Sequence, residues 1–258
     1  MTRIDRRALF ASGAAAALLA ATGVSATPQR GGRLRAALSE DLFDQAVTST
    51  VYDNLTEIGA DGTLRGELAT AWSSDADARR WRFTLREGVT FHDGSPFDAA
   101  SLQNLPLSIE VINTHTVEIV LDAPNPNLPY LLAHPGYELR SDTGSGTGLY
   151  EVQKLDTGRH FIATRVDQHW KQDAGWFDSV EFVHFSADAV RAEALRDGLV
   201  DVADVVALDA YADPRDFQSL PDGHTTTHIA GRAISVPLTV GKAWPLDNLR
   251  MAERWWMA

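Results

Sequence analysis

The 258-residue chain has no cysteine, so neither a disulfide framework nor thiolate chemistry is available, and a packed core must hold the fold by itself. It is also short of positive charge. Lys and Arg number 23 against 35 Asp and Glu, a formal net charge of −12. Without a basic stripe to release counterions, nucleic acid and anionic lipid are poor partners. No Gly-x-Ser-x-Gly elbow occurs, so hydrolase chemistry has no positive support. Gly144-Ser145-Gly146-Thr147-Gly148 is glycine-rich, but no Gly-Lys-Ser/Thr follows, and the next stretch, Tyr150-Glu151-Val152, reads as a strand. A phosphate cradle needs a helix there, whose first amides would face the anion.

What the chain does have begins with an apolar run near its start. Arg6-Arg7 precede Ala8-Leu9-Phe10, and Ala11 to Val24 ends in Val24-Ser25-Ala26, a small-x-small site. This pattern is that of a twin-arginine export signal over residues 1–26. A retained membrane anchor is the alternative, and the weak transfer of alanine into lipid, with Ser12, Gly13, Thr22 and Gly23 interrupting the run, counts against it. Cleavage after Ala26 would leave a periplasmic chain with a net charge near −14. At 44% hydrophobic residues the full 258-residue sequence has ample core for one large or two small domains.

The most informative stretch is Trp81 to Phe97, WRFTLREGVTFHDGSPF. Trp81, Phe83 and Leu85 alternate with Arg82, Thr84 and Arg86, and Val89 and Phe91 resume the alternation after Glu87-Gly88, which predicts a hairpin with one aromatic face. Asp93-Gly94 predicts a second turn, and Asp98 can cap a short helix from Ala99. A strand is expected over Gly31–Leu38, a loop over Glu40–Asp44 and a helix over Val47–Leu55. Ser108–Leu121 reads as a hairpin about Asn113-Thr114-His115. Strands are expected over His160–Val166 and Val180–Phe185, then a helix over Asp188–Asp197 capped by Ser186 and ended by Gly198.

These phrases resemble, in order, the family 5 solute-binding proteins of ABC importers. Phe91-His92-Asp93-Gly94-Ser95-Pro96-Phe97 is similar to the signature of that family, and Tyr52-Asp53-Asn54-Leu55 to its Y-E/D-x-L. Leu64 to Trp72 resembles its L-x-P-x-L-A-x-x-W, with Gly66 in place of proline. Gly146-Thr147-Gly148-Leu149-Tyr150, Asp167-Gln168-His169-Trp170 and Ala194 to Asp201 continue the likeness. The long helical insertion that follows the signature in the family is cut here to Ser101–Pro106.

The resemblance implies an α/β fold of the periplasmic binding protein type II kind, first lobe only, with a mixed sheet, hairpins and flanking helices. It implies a lobe over 27–207, with 208–258 a remnant of the crossover toward a second lobe. It also implies a peptide or similar small solute, an ABC permease as partner, no cofactor and no enzymatic activity. The groove expected from it is lined by Glu40, Asp41, Asp44, Thr147, Gly148 and Tyr150. An alternative is a shortened, repurposed relative acting as a periplasmic interaction module.

Other residues admit two readings. Trp72 anchors the core or lines the cleft, and Trp255-Trp256 pack on the lobe or meet a partner. Among eight histidines only His224 and His228 have chelating i, i+4 spacing, but three threonines between them point to strand or loop, and no metal site is expected.

Overall fold

A computed structural model describes residues 30–59, 62–172 and 174–205 in full, and the backbone alone of Phe217–Pro221 and His228–Arg232. The twin-arginine stretch, His224 and Trp255-Trp256 lie outside the described residues.

Two sheets carry the fold. The larger begins with β1 (Arg33–Leu38), which lies parallel to β10 (Ser179–His184) on one side and to β11 (Val202–Val205) on the other. Beyond β10, β9 (His160–Arg165) and β8 (Tyr150–Asp156) add antiparallel. Beyond β11 come β13 (His228–Arg232) and β12 (Phe217–Pro221), giving seven strands in a mixed sheet.

Alternation decides which helix covers which face. Leu34, Ala36 and Leu38 of β1 point to one side, where α1 (Glu40–Val51) packs Phe43, Ala46 and Val51 on them together with Phe161, Val180 and Phe182. Ala37 points to the other side, where α3 (Asp188–Arg196) packs Ala192, Ala194 and Leu195 against Ala203 and Val205. Each helix therefore buries its apolar stripe on a different face. Gly198, at φ +73°, turns the chain out of α3 as expected.

The smaller sheet is antiparallel, ordered β4 (Ala69–Ser74), β5 (Arg80–Leu85), β7 (Thr116–Val120) and β6 (Ser108–Asn113). Trp81, Phe83 and Leu85 do face one core, with Val117 and Ile119, and the opposite face carries an Arg80–Glu118–Arg82 ladder. Trp72 packs at the edge of this core, its ring 6.4 Å from that of Phe83. A two-stranded ribbon, β2 (Thr56–Ile58) with β3 (Leu64–Gly66), and a short α2 (Leu128–Leu131) complete the described elements.

Three expectations need correction. The Glu40–Asp44 stretch is not a loop: α1 begins at Glu40, because Glu40 and Asp41 complement the positive end of the helix and Phe43 and Ala46 already lie on its buried stripe. It stops at Val51 rather than Leu55, since the carbonyls of Asp53, Asn54 and Leu55 accept from Leu139, Leu68 and Glu67. The hairpin about Glu87-Gly88 does not form. β5 finds both its partners elsewhere, in β4 and β7, and Thr90 instead bridges Pro96 while Val89 and Phe91 sink into the core. Finally, Ser186 does not cap α3; Ala187 holds that position and no side chain bonds there. The cap expected from Asp98 does form. Its carboxylate accepts from Ala100, and Ser101 reciprocates, at the head of a 3₁₀ helix over Ala99–Asn104. That helix leads within four residues into β6, as the cut insertion requires.

Candidate functional site

β1 and β10 are adjacent and parallel, yet the helix after β1 covers one face of the sheet and the helix after β10 covers the other. Chains that leave neighbouring parallel strands in opposite directions open a crevice outside their carboxyl ends, and in open α/β sheets that is where ligands bind. That rule places the crevice between Ser39-Glu40-Asp41, entering α1, and Phe185-Ser186-Ala187-Asp188, entering α3. Glu40, Asp41 and Ser186 are exposed, and so are two apolar side chains, Phe185 at 38% and Val190 at 43%.

A buried ion pair braces this end. Arg191, 4% exposed on α3, donates through Nε to the carbonyl of Asp204 at 2.8 Å and stands 3.1 Å from its carboxylate, itself 1% exposed on β11. The same carboxylate accepts from the Ser39 amide at 2.8 Å. Arg191 also donates to the Phe185 carbonyl and approaches Asp188 at 3.4 Å, while the Phe185 amide donates to Leu38 at 3.0 Å. One guanidinium thereby fixes both helix entrances. Sequence reasoning passed over Arg191 and Asp204, although Asp204 is the one charge in the apolar run Val202 to Val205 and Arg191 is one of two, with Glu193, in Ala189 to Leu195, a signal of a buried pair.

The expected groove residues do not come together. Glu40 and Asp41 are at the crevice. Asp44, exposed one turn further along α1, borders a cavity on the flank of that helix. Thr147, Gly148 and Tyr150 sit at the opposite end of the sheet, where Tyr150 pairs with Arg165 and the Gly148 amide donates to Val51 at the far end of α1. Twelve helical residues separate the two groups by about 18 Å. Thr147 and Tyr150 are 1% and 0% exposed, and the Tyr150 hydroxyl donates to the Phe177 carbonyl at 3.0 Å. A β-carbon on Gly146 or Gly148 would overlap the carbonyls of Thr50 and Val51, so only glycine permits this approach.

Five of the six phrases that carry the family resemblance meet there instead, in a largely buried polar junction, while Ala194 to Asp201 lie apart, on α3 and the turn into β11. Lys171 donates to Asp53 at 2.7 Å and to Glu67 at 2.6 Å; Thr147 donates to Asp53 at 2.9 Å, and the Asn54 amide to Glu67 at 2.8 Å. Asp53 and Glu67 are 1% and 3% exposed. Burial, opposed by Lys171, pushes the Asp53 carboxyl up to about 6. His169 donates through Nε2 to the Thr147 carbonyl at 2.7 Å and accepts from the Lys171 amide through Nδ1. Burial pushes this imidazole down to about 4, so it stays neutral near pH 7. His92 of the signature donates to the Gly148 carbonyl at 2.7 Å. Its neighbour Asp93, held by Ser141, Ser95 and Thr143, has a carboxyl well below its usual range.

Comparison with known proteins bears on the family and the fold. The model of the bacterial extracellular solute-binding proteins, family 5 (Middle) matches residues 63–104 and 100–251. The chain belongs to that family. Among its curated relatives, the glutathione-binding protein GsiB of Salmonella paratyphi A is 27% identical over 191 residues, which are 62% of this chain and 37% of the relative. The nickel-binding periplasmic protein of Escherichia coli K12 is 25% identical over 242 residues, 80% of this chain and 45% of that one. The chain thus spans less than half the length of these family 5 relatives. The fold is shared with the periplasmic binding protein AgaA of A. tumefaciens R10, solved in complex with agropinic acid, at a TM-score of 0.66 and 24% identity over 73% of this chain and 48% of AgaA. Half of a two-lobed relative is what a single lobe covers. Among the described residues no group of three His, Cys, Asp or Glu is placed to hold a metal ion, and no helix is long and apolar enough to cross a membrane.

Proposed function

We propose that this chain supplies a lobe of the extracytoplasmic solute-binding component of an ABC importer, taking a peptide or a similar small organic solute at the crevice between α1 and α3 and presenting it to a permease. The lobe is taken as residues 27–207 together with β12 and β13, which extend its larger sheet, and the rest of 208–258 as the lead toward the partner lobe. Export of the chain belongs to the same reading, supported by residues 1–26 and by relatives named as periplasmic.

The observation that carries the reading is the divergence of α1 and α3 from adjacent parallel strands, braced by Arg191 and Asp204. It sets a two-sided mouth with Glu40 and Asp41 on one lip and apolar side chains beside Asp188 on the other, suited to a molecule with an amino group and an apolar body. Glu40 and Asp41 are assigned to the amino group, and Phe185 and Val190 to apolar contact. Thr147, Gly148 and Tyr150 serve the reading indirectly, as the floor on which α1 rests.

Calorimetry on the purified chain with a defined tripeptide pool tests it. Binding is expected, and the pair Glu40→Gln/Asp41→Asn should weaken it at least about tenfold, since each lost charge-assisted hydrogen bond contributes on the order of 1.5 kcal/mol. Equal affinity in the variant would remove the crevice from the account. Flat traces from a well-folded, dimeric chain would favour an interaction module.

A further inference from the structure

We infer that residues 166–172 form a strap that locks two separately cored units of the lobe in one arrangement, with Trp170 as its plug and Lys171 as its clasp. The chain enters the smaller-sheet unit after α1 and leaves it just before β8, so residues 54–146 are an insertion in the larger-sheet unit. The two connections lie side by side, the Gly148 amide donating to the Val51 carbonyl at 2.8 Å. Among the described residues no ladder joins the two sheets. Each unit packs its own core: Phe43, Phe161 and Phe182 belong to one, Phe83, Phe91 and Phe97 to the other. Among the described residues, Trp170 is the one side chain from beyond residue 146 that packs on the smaller-sheet core. Separate cores on two adjacent connections are the arrangement from which hinge motions are built.

The strap is loaded. Gln168 has φ +59°, a left-handed conformation that a residue with a β-carbon resists, and Trp170 Nε1 is buried without a hydrogen-bond partner. Local costs of this kind persist only where surrounding contacts impose them. Here those contacts are made by cations. Arg86, just past β5, lies over the Trp170 ring at 4.2 Å, and Lys171 Nζ lies 4.9 Å from the same ring. Lys171 Nζ also closes on Asp53, at the first connection, at 2.7 Å and on Glu67, in the smaller-sheet unit, at 2.6 Å. The cavity beside α1 takes Asp44, Thr48 and Ser49 from one unit and Ala133, His134 and Glu138 from the other. Releasing the strap turns the smaller-sheet unit about the two connections and changes the width of that cavity.

The strap lies outside the crevice, and its test needs no solute. Because the chain has no cysteine, spin labels go only where a cysteine is introduced. Ser73→Cys with Lys154→Cys, exposed on β4 and β8, puts one label on each unit. Lys154→Cys with Glu193→Cys, both on the larger-sheet unit, is the control pair. Double electron–electron resonance should give one narrow distance distribution for each pair in the otherwise unaltered chain. In Trp170→Ala and in Lys171→Met the inter-unit distribution should shift and broaden while the control pair keeps its width. Trp170→Phe, which retains the plug, should return the narrow inter-unit distribution. If Trp170→Ala does not fold, Trp170→Leu, which leaves an apolar side chain in the socket without either cation contact, carries the comparison. An inter-unit distribution unchanged by these variants, a control pair that broadens along with it, or a broad inter-unit distribution already present with Trp170 and Lys171 in place would each overturn the strap.

Discussion

Asp53 and His169 lie two hydrogen bonds apart through Thr147 and respond to acid in opposite directions. The folded Asp53 carboxyl, at about 6 against an ordinary 3.8, binds its proton more tightly than in the unfolded chain. Folding therefore gains from Asp53 as pH falls through 6 toward 4. Folded His169, at about 4 against 6.5, resists a proton that the unfolded chain accepts, so folding loses from it as pH falls from 6.5 toward 4. In the shared window the two largely offset each other. Denaturant midpoints at pH 7, 6 and 5 should expose each separately: Asp53→Asn should lose stability on acidification relative to the parent chain, and His169→Gln should gain it. Parallel profiles for the three proteins would contradict this account of the junction. From sequence, Asp53 and His169 were visible only as members of separate phrases, and Thr147 as an expected groove residue. Their common burial follows from long-range pairing, which no local pattern encodes.

At the scale of elements, the ends of α1 and α3 depend on one buried pair. Arg191→Met strands the Asp204 carboxylate at 1% exposure, which costs about 3 kcal/mol or more when a buried charge loses its partner. Adding Asp204→Asn should recover much of that, because Asn can still accept from the Ser39 amide. Urea unfolding of both variants checks it, and a single-variant cost below about 0.5 kcal/mol, the level of an ordinary surface change, would show that the pair does not brace the helices. Elements whose alternation or caps are local were legible beforehand: β1, the β6–β7 hairpin, β9, β10, the Asp98 cap and the Gly198 stop. Those set by competition for partners were not. Val89 and Phe91 alternate like a strand, but β5 had already been taken by β4 and β7. Glu40 to Asp44 looked like a polar loop because only one side of that helical turn, Phe43, is buried.

For the whole molecule, two ends of one sheet divide the labour. Five of the six family phrases close a structural junction at the amino ends of β1 and β10, and the crevice lies some 18 Å away, by the length of α1, at their carboxyl ends. The resemblance therefore reported the lobe faithfully while its most recognisable residues mark where the lobe is held together. Amide hydrogen exchange of the chain with and without a bound tripeptide separates the two ends directly. The account requires added protection at Ser39 to Phe43 and at Phe185 to Arg191, with Gly146 to Tyr150 already protected and unchanged. Protection appearing instead at Gly146 to Tyr150, with none at the entrances of α1 and α3, would contradict it.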